Sequence, residues 1–134
     1  MAEFTSGRLP RPGELAGWSP YQKGLYLKSL GEVITPQACR AVELGLGLEA
    51  TRDSILLYEF YRLAIRSGYR EALPGMERFA ATVGRQYYLA RFFRCLAENE
   101  WSRELARPLF ERVRGGHHPV TASVVDHMLT QAGV

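Results

Sequence analysis

The chain has 134 residues, 46% of them hydrophobic and 11% aromatic, with 17 basic against 14 acidic side chains for a formal charge of +3. That length and apolar share fit one compact domain with a full core and argue against a disordered chain. The charge is too mild to announce nucleic acid or an anionic membrane as partner, and no apolar run approaches the ~20 residues a spanning helix needs.

Only Lys23 and Lys28 among the cations are lysines. Arginine favours paired, stacked or bidentate contacts, although a GC-rich gene produces the same bias. Cys39 and Cys95 lie far apart, without C-x-x-C spacing and each among apolar residues at helical spacing. They read as buried, reduced thiols, and with no basic-then-apolar leader at the N-terminus the expected location is cytoplasmic.

Residues 1–17 hold Gly7, Pro10, Pro12, Gly13 and Gly17 without apolar periodicity, and are expected to form a flexible lead-in or linker that adds little to the fold. A helical domain is expected over residues 18–134. Ser19-Pro20 is a cap followed by proline at the first helical position, and Tyr21, Leu25, Leu27 and Leu30 supply an apolar side before Gly31. Thr35-Pro36 repeats the start signal, and Gly45 and Gly47 close a short second helix, which suggests an antiparallel pair.

Asp53 can cap a third helix, Ser54 to Arg66, apolar on more than one face and so expected to be central. A fourth is expected over about residues 69–83, with Pro74 tolerated in its first turns, and a fifth over about 85–98, packed through Tyr88, Leu89, Phe92, Phe93 and Leu96. Ser102 and Glu104 are expected at the head of a sixth, residues 103–114, which Gly115-Gly116 terminates; His118-Pro119 begins the last, running to about Gln131. No sustained apolar/polar alternation argues for a strand. The fold class is all-α, about six to eight helices in stacked pairs.

The sequence has no H-E-x-x-H, no G-x-x-x-x-G-K-S/T and no G-x-S-x-G, so hydrolytic, phosphoryl-transfer or metal chemistry has no visible carrier in this chain. His117, His118, His127 and Asp126 form a poor metal set. The two adjacent side chains point in different directions, and His127 lies more than two helical turns beyond them. His118 is better read as a helix-entry residue hydrogen-bonded to nearby backbone. Glu98, Glu100, Glu104 and Glu111 read as a solvated face among arginines, and Trp18, Trp101 and the aromatics Tyr87, Tyr88, Phe92 and Phe93 as packing. Arg85 differs, because it adds a full charge at a helix head whose dipole already favours anions.

Four segments taken together carry a resemblance: Tyr61-Arg62-Leu63-Ala64-Ile65-Arg66-Ser67, Glu71-Ala72-Leu73-Pro74, Gly84-Arg85-Gln86 and His118-Pro119-Val120-Thr121-Ala122. In order and spacing they resemble the C-terminal helical domain of the leukotriene A-4 hydrolase and aminopeptidase B family of zinc metalloaminopeptidases, over roughly residues 18–129. The resemblance implies an armadillo-like superhelix of antiparallel helix pairs that forms one wall of the substrate channel beside a catalytic zinc domain of the same polypeptide. Arg85 matches the arginine of the family's Gly-Arg-x-Lys element, which is understood to bind the carboxylate of a peptide or fatty acid; Tyr87 stands where that element has lysine. Arg85 and Tyr87 are therefore the expected substrate-binding residues.

This chain itself is expected to carry no catalytic residue, metal ligand or cofactor, the zinc implied by the resemblance belonging to a preceding domain. The leading expectation is a non-catalytic aminopeptidase domain; the alternative is a stand-alone helical-repeat scaffold that binds protein or peptide. Neither a nucleic acid nor a membrane is expected as a partner. The arginines at 91, 94, 103, 107, 112 and 114 belong to two helices with glutamates interleaved among them.

Overall fold

The computed structural model describes residues 9–134, which divide into two compact units, one ending at Glu71 and the other spanning Ala72–Val134. Among the described residues there are seven α-helices, three 3-10 turns and no strand, as the all-α reading expects.

In the first unit, α1 spans Pro20–Ser29, α2 Pro36–Leu46 and α3 Ser54–Arg66. Each begins on a side-chain cap that satisfies an amide the helix leaves unpaired. The Ser19 hydroxyl accepts from the Gln22 amide at 3.1 Å while the Gln22 side chain accepts from the Ser19 amide at 2.9 Å. Thr35 accepts from Ala38 at 3.0 Å, and Asp53 from Leu56 at 2.9 Å. The end of α2 is a left-handed residue, Gly47 at φ 65°. Glycine adopts that conformation without the steric penalty of a side chain.

Both α1 and α2 pack chiefly against α3, not on each other as an isolated antiparallel pair. The reason lies in α3, whose buried residues Leu56, Tyr58, Phe60, Tyr61, Leu63, Ala64 and Ile65 cover more than one side and offer both neighbours an apolar surface. Tyr69, beyond the end of α3, is buried and donates its hydroxyl hydrogen to Glu43 of α2 at 2.7 Å. The Ser67 hydroxyl accepts from the Ile34 amide at 2.9 Å, tying the α1–α2 connection to the end of α3.

Residues 1–8 of the expected lead-in lie outside the described residues, but the remainder is packed more closely than a linker would be. Pro10 and Leu15 are buried, and the amides of Gly13 and Leu15 donate to the carbonyls of Leu44 and Gly45 at 2.8 Å each. Gly45 therefore has a packing role inside α2: a β-carbon there would lie 2.5 Å from Cγ and 2.6 Å from Cβ of Pro10.

In the second unit, α4 spans Leu73–Thr82, α5 Gln86–Glu98, α6 Glu100–Val113 and α7 Pro119–Gln131. Pro74 sits in the first turn of α4, after a 3-10 turn at Arg70–Ala72 that takes up the start of the expected fourth helix. α5 packs against both α6 and α7, and α4 against α6. A run of edge-on rings joins α4, α5 and α6: Phe79 to Phe92 at 5.3 Å, Phe92 to Phe93 at 5.3 Å and Phe93 to Phe110 at 5.7 Å.

The sixth helix begins three residues before the expected position. Asn99 alone connects α5 to α6, its amide group donating to the Cys95 carbonyl at 2.8 Å. Ser102 is fully buried in the first turn of α6 and donates to the Leu96 carbonyl at 2.8 Å, so it closes the end of α5 instead of starting α6. His118 does what the sequence suggests, its Nδ1 accepting from the Val120 amide at 3.1 Å to cap α7.

Two outcomes follow from the first unit. Gly45→Ala should lower stability by about 1–2 kcal/mol in thermal or denaturant unfolding, because overpacking against Pro10 outweighs the ~1 kcal/mol that alanine gains over glycine in a helix. In a chain shortened to begin at residue 18 the same substitution should become stabilising. Burial, reinforced by the Glu43 hydrogen bond and opposed by Arg40, pushes the Tyr69 phenol up to about 12. Its contribution is thus fully present below the unfolded value of about 10 and is lost as pH rises through the folded value. Tyr69→Phe should cost about 1 kcal/mol at pH 7 and make the decline in unfolding free energy between about pH 10 and 12 shallower.

Candidate functional site

The second unit brings two of the singled-out segments together. Gly84 and Arg85 lead into α5, Arg85 occupying the N-cap position in an extended conformation (φ −98°, ψ 121°), and His118 leads into α7. Gln86 Oε1 lies 3.5 Å from Thr121 Oγ1, a long hydrogen bond that sets the heads of α5 and α7 side by side. Residues 35 positions apart in the chain thus share one end of the helical layer.

Arginine has no acceptor, so Arg85 cannot cap α5, and no other side chain does. The first-turn amides and the positive end of the helix dipole therefore add to the charge of its guanidinium. Arg85 is exposed and takes part in no ion pair among the described residues.

Tyr87 departs from the packing expectation, being 57% exposed. Its ring stands edge-on to Tyr88, with centroids 5.1 Å apart and planes at 89°, and the Arg91 guanidinium carbon lies 4.4 Å from its centroid. Tyr88 is half-buried, while Leu89, Phe92 and Phe93 are buried as expected. Arg91, one of the arginines with glutamates interleaved among them in the sequence, lies over an aromatic ring. The signal for this was the i,i+4 spacing of Tyr87 and Arg91, which places the two side chains next to each other on a helix.

The arginines of α6, and Arg114 in the 3-10 turn that follows it, are committed elsewhere. Arg103 donates to the carbonyls of Ala97 at 3.0 Å and Ala132 at 2.5 Å. Arg107 meets Asp126 at 2.5 Å, Thr130 at 3.2 Å and the Val134 carbonyl at 3.0 Å. Arg112 pairs with Glu77 at 2.6 Å, and Arg114 with Glu111 at 3.0 Å. The hydrogen bond from Arg107 holds the Asp126 carboxyl below the usual carboxylate range. These contacts close α6 onto α4 and α7 and leave four of the six arginines considered for nucleic acid engaged within the fold.

No three His, Cys, Asp or Glu side chains come together as a metal site among the described residues. The adjacent histidines diverge: His117 Nε2 meets the Ala80 carbonyl at 2.6 Å, and His118 faces the backbone of α7. Both cysteines are buried thiols outside any disulfide, and burial pushes the Cys39 thiol up to about 11, away from nucleophilic use. An open, mostly apolar depression on α7 is lined by Pro119, Val120, Ser123, Val124 and His127.

Comparison with known proteins bears on this arrangement. Residues 18–129 match the family described as leukotriene A4 hydrolase, C-terminal. Leucine aminopeptidase 2 of Neurospora crassa is 29% identical over 120 residues, which is 87% of this chain and 18% of the relative. Leucine aminopeptidase 2 of Kluyveromyces lactis is 31% identical over 78 residues, 58% of this chain and 12% of the relative. The solved structure of native yeast LTA4 hydrolase superposes with a TM-score of 0.73 at 17% identity, over 95% of this chain and 24% of that one, and so shares the fold. The chain thus spans less than a fifth of the length of the two aminopeptidases. The order of its helices and the span of the match make this chain a member of the leukotriene A4 hydrolase C-terminal domain family.

Proposed function

We propose that the chain serves as the C-terminal domain of a cytoplasmic zinc aminopeptidase, non-catalytic in itself, forming one wall of the substrate channel. Arg85 then holds the carboxylate of the bound peptide or other substrate. The family match over residues 18–129 supports the first part, together with the much greater length of the leucine aminopeptidases that share it. The single observation that carries the second is the exposed guanidinium of Arg85 at the uncapped head of α5, without a counter-ion among the described residues. An anion placed there gains a charge-assisted hydrogen bond and the favourable end of the helix dipole.

The side chains described here offer no zinc site, so in this reading the zinc and the residues that cleave the peptide belong to the preceding catalytic domain of the same polypeptide. The division of labour is physical. Zinc held in that domain would supply Lewis-acid chemistry at the scissile carbonyl, while a cation outside it would register the far end of the substrate. Among the described residues no helix is long and apolar enough to cross a membrane.

The intact gene product should release N-terminal residues from peptides and lose that activity to a zinc chelator. Arg85→Ala in that protein should raise KM roughly 3- to 10-fold for peptides with a free carboxylate and leave the matching C-terminal amides nearly unchanged. An equal loss on acid and amide would make Arg85 a structural residue.

A further inference from the structure

The segment before α1 is fastened to the first unit through its backbone, and the fastening completes a helix end. A helix leaves its last carbonyls without intrahelical partners. Near the end of α2 the carbonyls of Leu44 and Gly45 receive the amides of Gly13 and Leu15, at 2.8 Å each. Leu15 is 1% exposed, Pro10 is buried, and only the absence of a side chain at Gly45 leaves room for the Pro10 ring. Glycine is a poor residue for a helix interior, so its place in α2 is explained by this close approach.

The segment is also ordered along its own length. The amides of Glu14, Ala16 and Trp18 donate to the carbonyls three residues before them at 3.0, 3.2 and 3.1 Å, and the Arg11 amide donates to Glu14 Oε1 at 2.9 Å. The Trp18 ring stands edge-on to the buried Tyr26, with centroids 6.3 Å apart, and Ser19 already caps α1. Between Pro10 and the first turn of α1 the chain therefore has no slack joint.

Resting on the reading that a catalytic domain precedes this one, we infer that residues 10–18 are a docked strap that fixes where that domain attaches to the first unit. The attachment point is then the C-terminal end of α2, not the head of α1, and Gly45 is the position that admits the strap. Released from α2, residues 10–18 would span up to about 30 Å as a free tether. Docking removes that reach, so the two domains keep one relative placement even if the surface they share is small.

The test uses the full-length polypeptide and reads hydrogen exchange over residues 10–18 together with small-angle X-ray scattering. In the wild type the segment should exchange at least about 100-fold more slowly than an unstructured chain. Gly45→Leu puts a side chain where Pro10 lies and keeps α2 intact, since leucine is a better helix former than glycine. It should bring exchange in the segment to within about 10-fold of the unstructured rate and enlarge the radius of gyration. Leu15→Gly loosens the strap from its own side and should act in the same way, which decides the matter if Gly45→Leu unfolds the first unit.

Unprotected residues 10–18 in the wild type would overturn the docking, and a scattering profile that stays the same once the strap is released would overturn the coupling. Neither readout needs turnover. An intact gene product with no preceding domain would remove the reading on which this inference rests, whereas a longer product without peptidase activity would defeat only the aminopeptidase part of that reading.

Discussion

Burial of Leu89, Phe92, Phe93 and Leu96 sets the rotation of α5 about its own axis, and the features proposed for function follow from that rotation. These four side chains are at most 1% exposed and are held by α6, by α7 and by the ring run from Phe79 to Phe110. A helix that buries one stripe must turn the opposite stripe outward. Tyr87, Arg91 and Arg94 lie on that outward stripe, so a tyrosine becomes exposed and available to an arginine because its neighbours are packed.

The helices of this protein are short, between 10 and 14 residues, and isolated helices of that length are marginal in water. Their ends are accordingly specified with some care. Ser19, Thr35, Asp53 and His118 accept from first-turn amides, and Ser102 closes the end of α5 by donating to a carbonyl. α4 and α6 begin without a side-chain cap, and so does α5, which is preceded by an arginine that cannot accept a hydrogen bond. Its amides are left to solvent or to an anionic ligand.

Arginine usage in the second unit sorts into two roles. On α6 the guanidinium groups act as internal fasteners, reaching backbone carbonyls of α5 and α7 or carboxylates on α4, α6 and α7. On α5 they face outward without such partners. A composition-level explanation of the arginine excess cannot distinguish these uses, since both require the same residue for its several donors and constant charge.

The sequence alone determined the all-α class, the bounds of α3 and the starts of α1, α2 and α7, because capping residues, N1 prolines and the 3.6-residue periodicity are local rules written within a few positions. It also carried the family resemblance and drew attention to Arg85. Only the tertiary structure decided that Pro10 and Leu15 pack where a linker was expected, that α1 and α2 both settle on α3, that Ser102 serves the helix before its own, and that Tyr87 is exposed beneath Arg91. Each of those outcomes depends on which surface arrives from a distant part of the chain. Pro10 meets Gly45, and Gln86 meets Thr121, through contacts that no local pattern encodes.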